Sequence, residues 1–363
     1  MKEILLALAR GEDLSQDTAE QAMHLVMGGA ATAAQTAAYL TLLRQKGETV
    51  DELTGSVRAM REHATGAETG VDGPIVDTCG TGGDGAGTFN ISTASAFVAA
   101  AAGLKVAKHG NRAASSRAGS ADVLGSLGVA IDLAPAAVAK SLDETGFCFL
   151  FAQAYHPAMK YVAPIRRELG FRTMFNILGP LTNPARPGRQ VLGTPDRETA
   201  RKMAQVLARL GIEHALVLHS NDGLDEISTA APTHVFEVRG AQIAEFSIEP
   251  GVFGLPRHDI AGIRGGEAEE NAAIIRAIFD GATGAPRDVV VMNAAAALYV
   301  GGAAASLREG ARLAESLIDQ GLVRAKLAQV VAFGADGADG VGVQDGRPGG
   351  AGRAGDLTDG AAG

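Results

Sequence analysis

The chain has 363 residues, a net charge of −9 at pH 7, 46% hydrophobic residues and no tryptophan. That length exceeds one ordinary domain and falls short of three. The acidic balance excludes a broad nucleic-acid surface but leaves room for anion sites built from local basic residues.

The N-terminal stretch "MKEILLALARGED" carries charge at both ends and has no cleavage-type segment, which argues against a secretory signal. Residues 1–66 read as consecutive helices. Thr32 with Gln35, and Thr49 with Glu52, match the capping-box spacing, each after a glycine break. Apolar positions Ala37, Leu40 and Leu43, then Leu53, Val57 and Met60, recur at helical intervals. A small helical domain over 1–70 is expected, with the linker at 65–74.

From Ile75, short apolar runs alternate with helical stretches. "PIVDTC", "LKVAKHG" and "FCFLFA" read as strands, with helices over 92–102 and 119–127. "EHALVLHS" (213–220) and "RDVVVMN" (287–293) read as further strands beside helical stretches. This alternation predicts βαβ units and a mostly parallel sheet. Two alternating runs at 233–250 meet at Arg239-Gly240 and predict an antiparallel hairpin. The segment 171–188, "FRTMFNILGPLTNPARPG", reads as a short helix plus loop that returns to the helical domain. After Phe333, eleven of the last thirty residues are glycine, so 334–363 is expected to be disordered. The fold class is therefore α/β: a small N-terminal helical domain beside a larger α/β domain over 71–333 with a mostly parallel central sheet. The longest apolar run, around 94–104, is too short to span a bilayer. Cys79 and Cys148 stand far apart in no metal-ligand spacing and read as reduced thiols, which suits a cytoplasmic setting.

Three clusters carry chemistry, each following a predicted strand. "GTGGDGAG" at 80–87 places five glycines in eight positions between a strand and a helix, where backbone N–H groups and the positive helix end converge on phosphate. It is neither a Walker A loop nor a dinucleotide fingerprint. Thr88, Asn90, Ser92 and Thr93 add donors at the helix start. Asp84 would repel a bare phosphate and makes sense with a metal or a ribose hydroxyl between them. In "KHGNRAASSRAGSAD" (108–122), Lys108, Arg112 and Arg117 supply positive charge, and Ser115, Ser116 and Ser120 supply hydroxyls. "SNDGLDEIS" (220–228) brings Asp222, Asp225 and Glu226, and Mg²⁺ is commonly held by one or two carboxylates plus substrate phosphates. The combination suits a Mg²⁺-bound polyphosphate or pyrophosphate substrate. Arg166 on its own reads as an exposed helix charge.

The motifs "GTGGD" (80–84), "NIST" (90–93), "KHGNR" (108–112), "GSAD" (119–122), "FNILGPLTNP" (175–184) and "LDE" (224–226) together resemble the anthranilate phosphoribosyltransferases, over about residues 1–333. The resemblance implies transfer of the phosphoribosyl group of 5-phosphoribosyl 1-pyrophosphate to the amine of anthranilate, in tryptophan biosynthesis. It also implies a nucleoside-phosphorylase-like fold in which 165–188 contributes to the helical domain and forms a hinge, Mg²⁺, and a homodimer through the helical domains. By resemblance, Gly80, Gly83, Asp84 and Thr88 contact the sugar diphosphate. Asn90 and Thr93 hold the 5-phosphate end, with Lys108 near. His109, Gly110, Asn111, Arg112, Ala113, Ala114, Ser115, Ser116 and Ser120 belong to the loop that closes over the diphosphate. Ser92, Asp225 and Glu226 bind Mg²⁺. Gly80, Asn111 and Arg166 contact anthranilate, with Arg166 facing its carboxylate. His109 is a candidate acceptor of the amine proton, with loop orientation as its alternative role. Two rival functions are a pyrimidine nucleoside phosphorylase, which has no need of "LDE", and a non-catalytic nucleic-acid-binding relative, which should be basic. No membrane partner is expected.

Overall fold

A computed structural model of the chain describes residues 1–67, 69–113 and 117–339. The N-terminal part is four helices: α1 (Lys2–Ala9), α2 (Gln16–Met27), α3 (Ala33–Lys46) and α4 (Val50–His63). Thr32 and Thr49 each accept from the backbone N–H three residues on, and Gln35 and Glu52 reach back to the cap, so both expected capping boxes form. The buried Glu52 carboxylate also takes the Leu14 backbone N–H at 2.9 Å and Lys46 Nζ at 3.0 Å, which ties the bundle together.

The rest is a seven-stranded sheet with helices on both faces. The strands are β1 (Ile75–Gly80), β2 (Lys105–Gly110), β3 (Phe147–Phe151), β4 (Arg189–Gly193), β5 (His214–Ser220), β6 (Thr233–Arg239) and β7 (Gln242–Ile248). Their order is β3-β2-β1-β4-β5-β6-β7, with β1 to β5 parallel and β6 and β7 antiparallel. The chain leaves the edge at β3 and returns beside β1 at β4. The strand order therefore reverses between β1 and β4, and in open α/β sheets the crevice at such a point is where ligands bind.

The connecting helices are α5 (Ile91–Ala101), α6 (Ser120–Ser126), α7 (Pro135–Thr145), α8 (Ala152–Tyr155), α9 (Ala163–Leu169), α10 (Phe175–Leu178), α11 (Arg197–Arg209), α12 (Pro250–Phe253), α13 (Ala268–Phe279), α14 (Ala285–Gly301), α15 (Leu307–Asp319) and α16 (Leu322–Asp339). One core lies between the sheet and α5, α13, α14 and α15, with Phe97, Phe279 and Leu298 fully buried. A second joins the N-terminal bundle to α10, α11 and the other sheet face through Leu40, Met174, Leu178, Met203 and Val217.

Two expectations give way. Residues 287–293 are not a strand but belong to the N-terminal half of α14. Val289, Val290, Val291 and Met292 are all fully buried, so this run is enclosed on every side and shows no amphipathic period. Residues 334–339, expected in a disordered tail, continue α16. Gly334 makes this possible by lying close to Ala130, where a Cβ would come within 2.8 Å of the alanine Cβ. The rest of that tail, 340–363, lies outside the described residues. Strand β4 has no counterpart among the strands expected from sequence. No helix among the described residues is long and apolar enough to cross a membrane.

Candidate active site

The three chemistry-bearing loops meet at the carboxyl ends of β1, β2 and β5. Gly80 and Gly193 are register partners at the ends of β1 and β4. A Cβ on Gly80 would stand 2.3 Å from Asp225 Oδ2, and one on Gly193 would stand 1.3 Å from the Asp225 carbonyl oxygen. The paired glycines thus form a notch that receives the loop after β5. Gly82 N–H donates to Asp225 Oδ2 at 2.8 Å, so the glycine loop and the acidic loop are joined. Gly82, Gly83, Gly85 and Gly87 all have positive φ, a run that side-chain-bearing residues adopt only with strain.

Carboxylate oxygens of Asp84, Asp225 and Glu226 converge within 4.8 Å of one another. Asp84 Oδ2 and Glu226 Oε2 are buried without a hydrogen-bond partner. Burial, then the charge of Asp225, pushes both carboxyls above their ordinary range, Glu226 well above. Orphaned oxygens on crowded acids fit a divalent cation such as Mg²⁺. Ser92 stands near but is otherwise engaged: its Oγ accepts from Lys108 Nζ at 3.2 Å and its carbonyl from Thr78 Oγ1 at 2.9 Å. Asp222 lies outside the cluster, accepting from Ser228 Oγ. Lys108 is buried beneath the loops, its Nζ donating to the Thr78 carbonyl at 2.6 Å. Burial lowers its pKa against the opposing pull of Asp77. It braces the site from below rather than presenting charge at the surface.

The start of α5 is held by a distant part of the chain. Thr88 bridges Arg264, Gly265 N–H donates to the Gly87 carbonyl at 2.8 Å, and Asn271 Nδ2 donates to Asn90 Oδ1 at 3.0 Å. Gly265 packs so closely that a Cβ would lie 2.6 Å from Phe89 Cα. Thr93 is buried and its Oγ1 has no partner.

After β2, Gly110 approaches Ser120, where a Cβ would meet Oγ at 2.1 Å. The Asn111 carbonyl accepts from Ala121 N–H at 3.2 Å and from Ser120 Oγ at 3.4 Å. Arg112 pairs with Asp122 at 2.9 Å, and the other Asp122 oxygen takes the N–H groups of Ala113 and Gly119. Much of the Arg112 charge is thereby matched within its own loop. Ala114, Ser115 and Ser116 lie outside the described residues.

His109 faces the opposite side of β2 from Lys108. Its ring stands 5.2 Å from that of His156, and its Nε2 has no partner. Burial pushes His109 down to about 3 and His156 to about 4. Both are neutral at pH 7, which makes His109 a weak base and favours an orienting role. Arg166, on α9, donates to Asn176 Oδ1 at 3.3 Å and lies over the Phe175 ring at 5.5 Å. Burial, then the neighbouring Arg172, lowers its pKa. A guanidinium so placed is suited to a carboxylate.

Gly193, Asn271 and Arg172, which contact Asp225, Asn90 and Gly83, stand outside the residues expected from sequence. A glycine ending an apolar run, as in "VLGT", was a usable sign of close backbone approach; Asn271 and Arg172 offered no local sign.

The glycosyl transferase family a/b domain matches residues 72–324, and the helical bundle domain of the same family matches 2–64. Anthranilate phosphoribosyltransferase of Thermomicrobium roseum is 53% identical over 330 residues, covering 90% of this chain and 95% of the relative. The crystal structure of the Thermus thermophilus anthranilate phosphoribosyltransferase superposes with a TM-score of 0.86 at 42% identity, covering 92% of this chain and 99% of that one. The Saccharomyces cerevisiae enzyme in complex with PRPP and Mg gives 0.81 at 27% identity, covering 89% and 94%.

Proposed function

The chain belongs to the anthranilate phosphoribosyltransferases, which transfer the phosphoribosyl group of 5-phosphoribosyl 1-pyrophosphate to the anthranilate amine in tryptophan biosynthesis, and we propose a role for each group at its cleft. The observation that carries the assignment is the convergence of three carboxylates, two of them with an orphaned oxygen, beside a glycine loop at the point where the strand order reverses. A phosphorylase using inorganic phosphate has no use for such a cluster.

The hard event is departure of pyrophosphate from C1 of ribose, which leaves an oxocarbenium-like sugar. A bound Mg²⁺ supplies neutralisation of the leaving group's charge, and the yeast relative's complex with PRPP and Mg supports its use here. Asp225 and Glu226, with Asp84 beside them, are the residues that would hold it; Ser92 Oγ can join by releasing Lys108. Gly80, Gly83 and Asp84 face the diphosphate, the N–H groups of Thr81 and Gly82 being taken by Gly193 and Asp225; they are aided by Thr88 and by Gly110, Asn111, Arg112, Ala113 and Ser120 from the second loop, with Ala114, Ser115 and Ser116 assigned by resemblance alone. Asn90 and Thr93, at the positive end of α5, take the 5-phosphate. Gly80, Asn111 and Arg166 receive anthranilate, Arg166 through its carboxylate.

The aromatic amine is neutral at pH 7, so it needs no strong base. His109, held neutral, orients its loop. Positioning the amine against C1 then accounts for much of the remaining rate. Residues 1–70 with 165–188 form the helical unit and 71–333 the catalytic one. A homodimer in the cytoplasm completes the proposal.

The test is anthranilate fluorescence loss on mixing with 5-phosphoribosyl 1-pyrophosphate and Mg²⁺. The double variant Asp225→Ala, Glu226→Ala should fold with an unchanged circular-dichroism spectrum and lose at least about a hundredfold in turnover. Near-wild-type turnover would remove the metal assignment.

A further inference from the structure

Arg172 lies in the turn between α9 and α10, where neither the sequence motifs nor the roles above use it. Its Nη1 occupies the space beside Gly83: a Cβ there would stand 1.6 Å from that nitrogen. Arg44 on α3 donates to the Arg172 carbonyl at 2.5 Å and lies over the Phe171 ring at 5.5 Å, so the turn is anchored to the bundle. Among the described residues, no carboxylate comes within ion-pair distance of the Arg172 guanidinium. Arg44, Arg172, Thr81, Gly83, Asn176 and Thr199 help to line a cavity of about 710 Å³ on this side of the glycine loop. Its acids do not answer the arginine. Asp196 caps α11, accepting from Thr199 N–H at 2.8 Å and Thr199 Oγ1 at 2.7 Å, and Glu48 is held above its ordinary range by burial.

An unmatched guanidinium pressed against Gly83, in the loop proposed above to receive the diphosphate, has one obvious complement, a phosphate oxygen pair met by the planar fork. We propose that Arg172 is a diphosphate-binding residue of the donor site, contacting the pyrophosphate part of 5-phosphoribosyl 1-pyrophosphate and the pyrophosphate released from it. This rests on the reading that residues 80–84 hold the diphosphate. Arg44 acts through it, as a positioning residue that fixes the turn.

The experiment uses Arg172→Met and Arg172→Lys in the full chain, with three readouts: KM for the donor, the inhibition constant of inorganic pyrophosphate with Mg²⁺, and KM for anthranilate. Loss of a charge-assisted hydrogen bond to phosphate predicts that the first two rise about ten- to hundredfold in Arg172→Met, with anthranilate KM within about twofold. Arg172→Lys, which keeps the charge without the fork, should fall between wild type and Arg172→Met. An unchanged pyrophosphate inhibition constant overturns the proposal, as does an equal rise in both substrates' KM. Asp84→Asn separates the two levels of the argument. If it weakens pyrophosphate and Arg172→Met does not, only the role of Arg172 falls; if neither does, the diphosphate is not at this loop and the underlying site reading falls with it.

Discussion

Gly193→Ala is the sharpest test of how the acidic loop is placed, because Gly193 has no assigned contact with substrate. The added Cβ would stand 1.3 Å from the Asp225 carbonyl oxygen, where real contacts below 3.0 Å essentially never occur. Either the end of β4 or the Asp225 backbone must therefore move by roughly 2 Å, the distance needed to restore an ordinary contact. The moving peptide joins Asp225 to Glu226, so the displacement carries both carboxylates with it. A misplacement of about 1 Å can cost about a hundredfold in rate, so turnover should fall by at least about that factor. Overpacking should also cost about 1–3 kcal/mol of stability. Turnover is followed by anthranilate fluorescence across a Mg²⁺ titration, and stability by thermal melting. Gly125→Ala is the control: nothing lies within 4 Å of its Cβ, its φ is not positive, and it lies inside α6. It should gain up to about 1 kcal/mol in stability and keep full activity. Gly193→Ala with wild-type turnover and wild-type Mg²⁺ dependence would refute the notch as the device that places the carboxylates.

Arg166→Ala should raise KM for anthranilate more than about tenfold and leave KM for the donor within about twofold; equal effects in steady-state kinetics would make Arg166 a structural residue. The raised carboxyls of Asp84 and Glu226 mean that the folded state binds protons more tightly than the unfolded one, so their contribution to stability is lost as pH rises from the ordinary carboxylate range through the raised values. A neutralising cation relieves this, so the melting-temperature gain on adding Mg²⁺ should be larger at pH 8 than at pH 5, and a shift that does not grow with pH contradicts the site. For His109 and His156 the sign is opposite. Held at about 3 and about 4 against an unfolded value near 6.5, they cost stability as pH falls through 6.5, about 2 kcal/mol each by pH 5. Urea unfolding of His156→Leu should show a shallower pH dependence between 7 and 5 than wild type, and an identical slope would count against the neutral pair.

The parts of the fold legible in sequence are those whose cause is local. Thr32 and Thr49 signal their helices because a capping box is closed within four residues. Strands β1, β2, β3 and β5 are apolar runs bounded by turns. Strand β4 was not legible, because "RQVLG" is short and follows a Pro- and Gly-rich segment, and its extended form comes from pairing with β1 and β5. Helix α14 is not legible as a helix, because a segment buried on every side loses its period. The order of motifs marked the residues of the cleft. It did not show that Lys108 lies underneath it or that Arg172 reaches Gly83 from eighty-nine positions away, since both depend on how distant segments pack, nor that Asp122 matches Arg112, which depends on how their shared loop folds back on itself.

The clasp on the start of α5 bears on how the protein is made. Asn90 meets Asn271 across 181 positions, and Thr88 waits for Arg264. During synthesis every proposed donor-binding residue up to Ser120 leaves the ribosome long before the segment that holds α5 in place. Contacts of such long sequence separation form slowly, and emerging chains fold from the N-terminus first. A nascent chain stopped near residue 250 would thus carry the whole phosphate-binding motif set without its support. If these residues hold the sugar phosphate as proposed, that competence is acquired late, when the last third of the chain docks.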